Sequence, residues 1–208
     1  NQNKVESEIY LNKENYKYLI DDDELKVDLI KGLPDKFTSK TTTSLKWKSD
    51  FIDYFRDDKF KKVKILEVGS SLGHSTRILS FLFDRVVAID TLPERHDSSA
   101  KLNYDRDNIE YVSMDVYAQK WNFEDVDVVF IDCVHDYNHV KSDIENSLKF
   151  GKGTIIAFDD YGLFPELKKA IDEYIEAGIL KLETYLGMPA GTDFPKTLNK
   201  KLKDWEGL

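Results

Sequence analysis

One stretch limits what this chain can fold into more than any other: Val63-Lys64-Ile65-Leu66-Glu67-Val68-Gly69-Ser70-Ser71-Leu72-Gly73-His74-Ser75. Its first half is a short apolar run bounded by lysines, as in a strand buried on both faces of a parallel sheet. It breaks at Gly69, meets Gly73, and continues into Ile78, Leu79 and Leu82, spaced like one face of a helix. Strand, glycine turn and helix open an α/β unit. The glycines let the backbone approach a bound group closely, and the helix start offers free N–H groups to an anion.

The same alternation continues downstream. Strands are expected at Arg85–Asp90, Ile109–Met114, Val126–Asp132 and Thr154–Phe158. Between and after them lie helical patterns: His74–Phe83, the polar Glu94–Asp105, a run carrying Val140, Ile144 and Leu148, and one opened by Pro165 with Leu167, Ala170, Ile171, Tyr174 and Ile175 on one side. Upstream, Trp47, Phe51, Ile52 and Phe55 predict a helix with Ser44 as its cap. The tail predicts a strand at Leu180–Leu186, a Gly/Pro loop at Gly187–Pro195 and a short element near Trp205. Such alternation gives a mostly parallel sheet with helices on both faces. Residues 44–208 form the main domain, and the polar residues 1–43 read as an extension, a lid or a homodimer contact. In that extension Tyr10, Leu11, Tyr16, Tyr18 and Leu19 are placed to pack on the domain or a partner, and Asp21-Asp22-Asp23-Glu24 reads as a solvated face or a helix start.

Composition narrows the function. With 41% hydrophobic and 33% charged residues in 208, the chain can build one full core and is not disordered. A net charge of −9 argues against a nucleic-acid partner. The single cysteine, Cys133, gives no disulfide framework and fits a reducing, cytoplasmic setting. No run approaches the roughly 20 apolar residues of a membrane span, and no signal pattern opens the chain, so no membrane partner is expected. The start at Asn1 rather than methionine reads as a fragment or a trimmed chain.

A nicotinamide site wants G-x-G-x-x-G, but here Gly69-x-x-x-Gly73 lacks the third glycine. Glu67, just before the turn, would repel a pyrophosphate; it suits a ligand with an ammonium tail, such as the amino-acid end of S-adenosylmethionine. Asp90 ends the second strand 21 residues after Gly69, a distance suited to ribose hydroxyls. Met114-Asp115 ends the third strand, where an adenine edge would lie. Singly, each aspartate could be a strand-end cap; in order they outline an adenosine cradle.

A second constellation follows. Asp132 ends the fourth strand, and Asp159-Asp160 end the fifth. Three carboxylates repel one another unless a cation joins them, and an all-oxygen set suits Mg²⁺ or another divalent ion. His135 lies three residues past Asp132, and an imidazole titrating near pH 6.5 can take a proton from a hydroxyl. The plainer readings are that Asp159-Asp160 cap the helix at Pro165 and that His135 bonds Asp136 or Asp160. His74 and His139 read as non-catalytic, His96 as solvent-facing and Cys133 as a packed small residue.

Over about residues 44–186 these motifs resemble class I S-adenosylmethionine-dependent methyltransferases, in particular the metal-dependent catechol-type and macrolide-sugar O-methyltransferases. The resemblance implies a Rossmann-like, mostly parallel sheet of seven strands, the last antiparallel. It implies cofactor contacts from Glu67, Gly69, Ser70, Ser71, Gly73 and Ser75 at the turn, Asp90 and Thr91 at the ribose, and Asp115, Val116 and Asp132 beyond. It implies a metal on Asp132, Asp159 and Asp160, with His135 and Asp132 catalytic. Ser71 stands where many such enzymes carry glycine, which reads as a branch marker. Val134 stands where the sugar type can carry a catalytic aspartate, which moves the base to His135. The activity implied is methylation of a hydroxyl on a small molecule, a sugar or a phenol. The alternatives are a non-catalytic S-adenosylmethionine-binding module within a larger assembly, or a methyltransferase of a macromolecule. Segments Thr41–Trp47, Tyr161–Phe164 and Gly187–Pro195 are placed to cover the site; Tyr161 and Phe164 offer aromatic faces, and Trp47 reads as core.

Overall fold

A computed structural model describes residues 20–208. The apolar residues expected to pack at positions 10–19 lie outside the described residues, as does the first half of the extension. Five strands form one parallel sheet: β1 (Lys64–Val68), β2 (Arg85–Asp90), β3 (Ile109–Ser113), β4 (Val126–Ile131) and β5 (Ile155–Phe158). Their order is β3-β2-β1-β4-β5. The order reverses between β1 and β4, so a crevice opens there at the strands' C-terminal ends, where ligands of such sheets sit.

The pleat sorts each strand between two cores. Ile65, Val86, Ala88, Val128 and Phe130 face one side, and Leu66, Val87, Val129 and Ile131 the other. On the first side lie α1 (Glu24–Ile30), α2 (Leu45–Phe55) and α3 (His74–Leu82), which bring Leu29, Trp47, Phe51, Phe55 and Ile78 into the core. α1 settles the acidic run at Asp21–Glu24 as a helix start, because the Asp23 carboxylate caps it by accepting from Lys26 N at 3.2 Å. Ser44 caps α2 as its sequence position suggests, its Oγ accepting from Trp47 N at 3.0 Å. On the second side, α5 (Tyr137–Leu148) and α6 (Pro165–Glu176) supply Val140, Ile144, Leu167 and Ile171. The polar α4 (Pro93–Leu102) covers the β2–β3 side through few residues. One of these corrects an expectation: His96 is buried against Tyr111, with ring centroids 5.4 Å apart, rather than facing solvent.

The sheet stops at five strands where seven were expected. Lys181–Tyr185 is exposed and joins no strand, Leu180 is half-buried against the second core, and only Leu186 makes a bridge. The chain's last residues take the place beside β5. Phe158 exchanges both backbone hydrogen bonds with Leu208, at 2.9 and 3.1 Å, and Leu186 does so with Gly207, at 2.9 and 2.9 Å. This pairing is antiparallel at the Leu186–Gly207 bridge but too brief to form strands. A separate two-stranded antiparallel ribbon pairs β6 (Asp193–Phe194), inside the expected Gly/Pro loop, with β7 (Lys200–Lys201), beyond it. Among the described residues no helix is long and apolar enough to cross a membrane.

Candidate functional site

The turn after β1 is built by the backbone. Gly69 N and Ser70 N both donate to Ile89 O, at 3.0 and 2.9 Å, tying the turn to β2. Gly69 has φ 93°, and a Cβ there would lie 2.0 Å from the Asp132 carbonyl oxygen, so this position needs glycine on two grounds. Ser71 is also left-handed, at φ 47°. That conformation is the physical reason a glycine would be easier here, and Ser71 holds it while donating its N–H to Asp90 Oδ2 at 2.9 Å. Gly73, at φ 85°, caps α3 without a side chain, leaving the helix's first N–H groups uncovered by a capping side chain.

Of the residues expected at the cofactor, seven line one crevice of about 580 Å³: Gly69, Ser71, Asp90, Thr91, Asp115, Val116 and Asp132. Ile89 and Met114 add apolar wall. Glu67, Ser70, Gly73 and Ser75 do not line it. Strand alternation explains Glu67: it shares the parity of Ile65 and points toward α3, where its Oε2 accepts from Thr76 Oγ1 at 2.6 Å. Its carboxyl is fully buried with Oε1 unpartnered. Burial pushes it up to about 8, against the opposing Thr76 and Ser75 hydroxyls and with help from the Asp132 charge. Ser70 is likewise buried with its hydroxyl unpartnered. Asp90 is already engaged: besides Ser71 it accepts from Leu92 N at 3.1 Å and pairs with Arg95 Nη1 at 3.3 Å. Asp115 spends one carboxylate oxygen on its own turn, accepting from Tyr117 N at 2.9 Å.

The other end of the crevice gathers Asp132, His135, Asp159 and Asp160 as the sequence suggests, and adds a residue it did not reveal. Lys36, from the segment ahead of α2, buries its ammonium among the acids. Its Nζ is 2.9 Å from Asp159 Oδ2, 2.8 Å from Asp160 Oδ1 and 3.2 Å from Glu206 Oε1. Burial opposes the charge, but Asp159, Asp160 and Glu206 outweigh it and hold Lys36 well above the ordinary lysine range. Asp160 is left-handed at φ 63°, which turns its carboxylate back into the centre. One of its oxygens meets Lys36, and the other lies 3.4 Å from His135 Nε2. His135 Nε2 is also 3.8 Å from Asp132 Oδ1, and its ring stacks on Phe164 at 4.3 Å. Burial works against charging this imidazole, but Asp132 and Asp160 prevail and raise its pKa above the usual histidine value.

This arrangement bears directly on the expected divalent metal. The carboxylate set read for it was Asp132, Asp159 and Asp160, and an ammonium already neutralises two of the three. The metal therefore does not fit the set read from the sequence. Asp132, His135 and Asp160 do bring one ligand atom each within 4.8 Å of one another. That trio mixes nitrogen with oxygen, unlike the all-oxygen shell that Mg²⁺ prefers.

Phe164, read from the sequence as an aromatic face at the site, stacks on His135, whereas Glu206 and Arg95 were missed. Only Arg95 left a signal, a cation in the first turn of α4 five residues past Asp90.

Comparison with known proteins agrees with this geometry. Residues 66–161 match the family model described as a methyltransferase domain. No curated protein matches the chain in sequence. The fold is shared with precorrin-6y C5,15-methyltransferase from Geobacter metallireducens GS-15, at TM-score 0.55 and 16% identity over 68% of this chain and 76% of that one. It is shared with the Methanococcus jannaschii fibrillarin pre-rRNA processing protein, at TM-score 0.51 and 24% identity over 70% and 67%. A third similar structure is Aeropyrum pernix fibrillarin with natively bound S-adenosyl-L-methionine, at TM-score 0.48 and 17% identity, covering 62% of this chain. The present chain spans 63% of that protein, less than two thirds of its length. The matched segment, less than half of the chain, is similar to a methyltransferase domain, and the structural likeness shows a Rossmann-like fold. The acceptor and the use of a metal are matters for the strand-end chemistry.

Proposed function

We propose that this crevice carries out methyl transfer from S-adenosylmethionine to a hydroxyl of a small molecule, a sugar or a phenol. The observation that carries the reading is the division of one crevice into two ends. Gly69, Ser71, Asp90, Thr91, Asp115 and Val116 line one, and Asp132, His135 and Asp160 line the other. The first end fits the cofactor by its chemistry: carboxylates at the ends of β2 and β3 for ribose and adenine edges, and Ile89, Met114 and Val116 for an apolar ring face. When bound, S-adenosylmethionine supplies an electrophilic methyl group on a sulfonium.

The chain's own residues then have distinct tasks. Asp90 holds the ribose end in register with the turn, since it is fixed by Ser71 N and Leu92 N. His135 Nε2 takes the proton of the acceptor hydroxyl. Asp132 and Asp160 steady the imidazolium that results, at 3.8 and 3.4 Å. Phe164 fixes the plane of the ring by stacking. Because the base must be deprotonated to act, turnover should rise with pH through a value above the ordinary 6.5.

The test is a screen of hydroxylated sugars and phenols with labelled cofactor, followed by His135→Ala on the best acceptor. That variant should lose about 10²–10⁴-fold in kcat while keeping the cofactor's dissociation constant, as expected for a general base. Near-normal turnover in His135→Ala across neutral pH would remove this residue from the mechanism. Tighter binding of NAD than of S-adenosylmethionine would sink the reading as a whole.

A further inference from the structure

We propose that Lys36 is the resident cation of this centre. Its ammonium occupies two of the three carboxylates expected to hold a divalent metal, Asp159 and Asp160, together with Glu206, and the crevice works without a metal.

The geometry supplies the argument. Three carboxylates, two from the adjacent Asp159 and Asp160 and the third from the distant Glu206, converge on one nitrogen, at 2.9, 2.8 and 3.2 Å. The lysine side chain is 3% exposed, and the carboxylates of Asp159 and Glu206 are 3% and 0% exposed, so solvent does little of the neutralising. A buried acid cluster demands a positive partner, and here the partner belongs to the chain itself. A divalent ion on Asp159 or Asp160 would share a carboxylate with this ammonium, and the like charges would repel at close range in a poorly screened place.

Lys36 is also held from behind, so the ammonium is part of the architecture. Its carbonyl accepts from Thr197 Oγ1 at 2.7 Å. The following ring, Phe37, packs on Phe194 at 4.8 Å. Thr38 N and Ser39 N close the turn onto Asp35 O, both at 2.8 Å. On the other side, Glu206 is fixed by Ser44 N at 2.9 Å and Met188 N at 3.0 Å. Withdrawing Lys36 would strand several buried charges at once. Asp160 then links the lysine to His135, one oxygen to each. The positive charge therefore stands one carboxylate away from the imidazole, placed as a fixed part of the site. The functional consequence rests on this crevice being the methyl-transfer site; the metal readout below does not.

Manganese is the probe, because its electron paramagnetic signal reports binding without turnover. The full chain should show no saturable Mn²⁺ site, and neither Mn²⁺ nor Mg²⁺ should move its thermal midpoint. Lys36→Met, or Lys36→Gln if the methionine variant fails to fold, should gain a saturable Mn²⁺ site at least about tenfold tighter than any in the parent, as freed carboxylates would provide. Saturable Mn²⁺ binding by the unaltered chain that is lost in Asp160→Asn would overturn the proposal. So would a folded Lys36 variant that gains no Mn²⁺ affinity. If neither variant folds, the titration of the unaltered chain decides alone. Cofactor affinity, measured separately by calorimetry, distinguishes failure of this inference from failure of the methyltransferase reading.

Discussion

The two ends of the crevice are built by different means. The cofactor end is built in chain order: the turn after β1 and the first residues after β2 and β3 supply it, and backbone bonds such as Gly69 N and Ser70 N to Ile89 O lock the turn. The acceptor end is assembled from afar. Lys36, Asp160 and Glu206 meet there from the segment ahead of α2, the end of β5 and the last residues of the chain. A site built in chain order depends on conformations that single residues must adopt. One assembled from distant pieces depends on charges that must find one another.

The largest effect expected from that difference is at Gly69. Gly69→Ala forces a Cβ to within 2.0 Å of the Asp132 carbonyl in a left-handed backbone. Strain and displacement together should cost about 3 kcal/mol or more. Denaturant melts should show that loss, and calorimetry should show no saturable S-adenosylmethionine binding. An alanine variant that binds normally would break the claim that the cofactor end is conformationally fixed.

Glu67 gives a smaller effect with a definite sign. Its folded pKa of about 8 lies above the ordinary 4.5 because the carboxyl is buried. The folded chain therefore holds a proton that the unfolded chain gives up. The resulting stabilisation is complete below about pH 4.5 and is lost progressively as pH rises to about 8, at up to about 1.4 kcal/mol per pH unit. Unfolding free energies at pH 5 and pH 8.5 should differ by a few kcal/mol in the parent chain. The difference should shrink in Glu67→Gln, and an equal slope in both chains would show that Glu67 is not the titrating group. Smallest is Asp90→Asn, which keeps one acceptor oxygen for the turn but loses the charge. S-adenosylmethionine binding should weaken about tenfold, roughly 1.4 kcal/mol. An unchanged affinity would mean that Asp90 serves the turn and Arg95 alone.

The same contrast explains what the sequence made legible. Asp90, Asp115, Asp132 and Asp159-Asp160 could be found because strands of a parallel sheet end on one edge, so their last residues converge wherever the loops wander. The left-handed turn was legible at Gly69 and Gly73, whose glycines mark it, and not at Ser71 or Asp160, whose side chains hide it. Lys36 and Glu206 carry no periodicity and no neighbouring motif; only tertiary contact makes them part of the site. Without them, Asp159 and Asp160, which here meet the Lys36 ammonium, were read with Asp132 as ligands of a divalent cation. Glu67 was assigned to the cofactor by position, but the pleat sends it toward Thr76. His96 was misplaced because α4 is polar, and nothing local reveals that Tyr111 waits beneath it. The expected sixth and seventh strands failed for a related reason: Leu180–Leu186 alternates well enough, but the edge it would join is met by the chain's final residues.

Glu206 sets an order of events during synthesis. Its carboxylate accepts from Ser44 N and Met188 N and faces the Lys36 ammonium. Of the groups at the acceptor end, it leaves the ribosome last. The turn at Gly69 can form while the chain is still growing, since its partners in β2 follow soon after. Lys36 and the capping Ser44 must wait for a shared partner that lies 162 positions beyond Ser44, a closure of high sequence separation that folds late. A nascent chain can thus have its cofactor end formed while the acceptor end is still open.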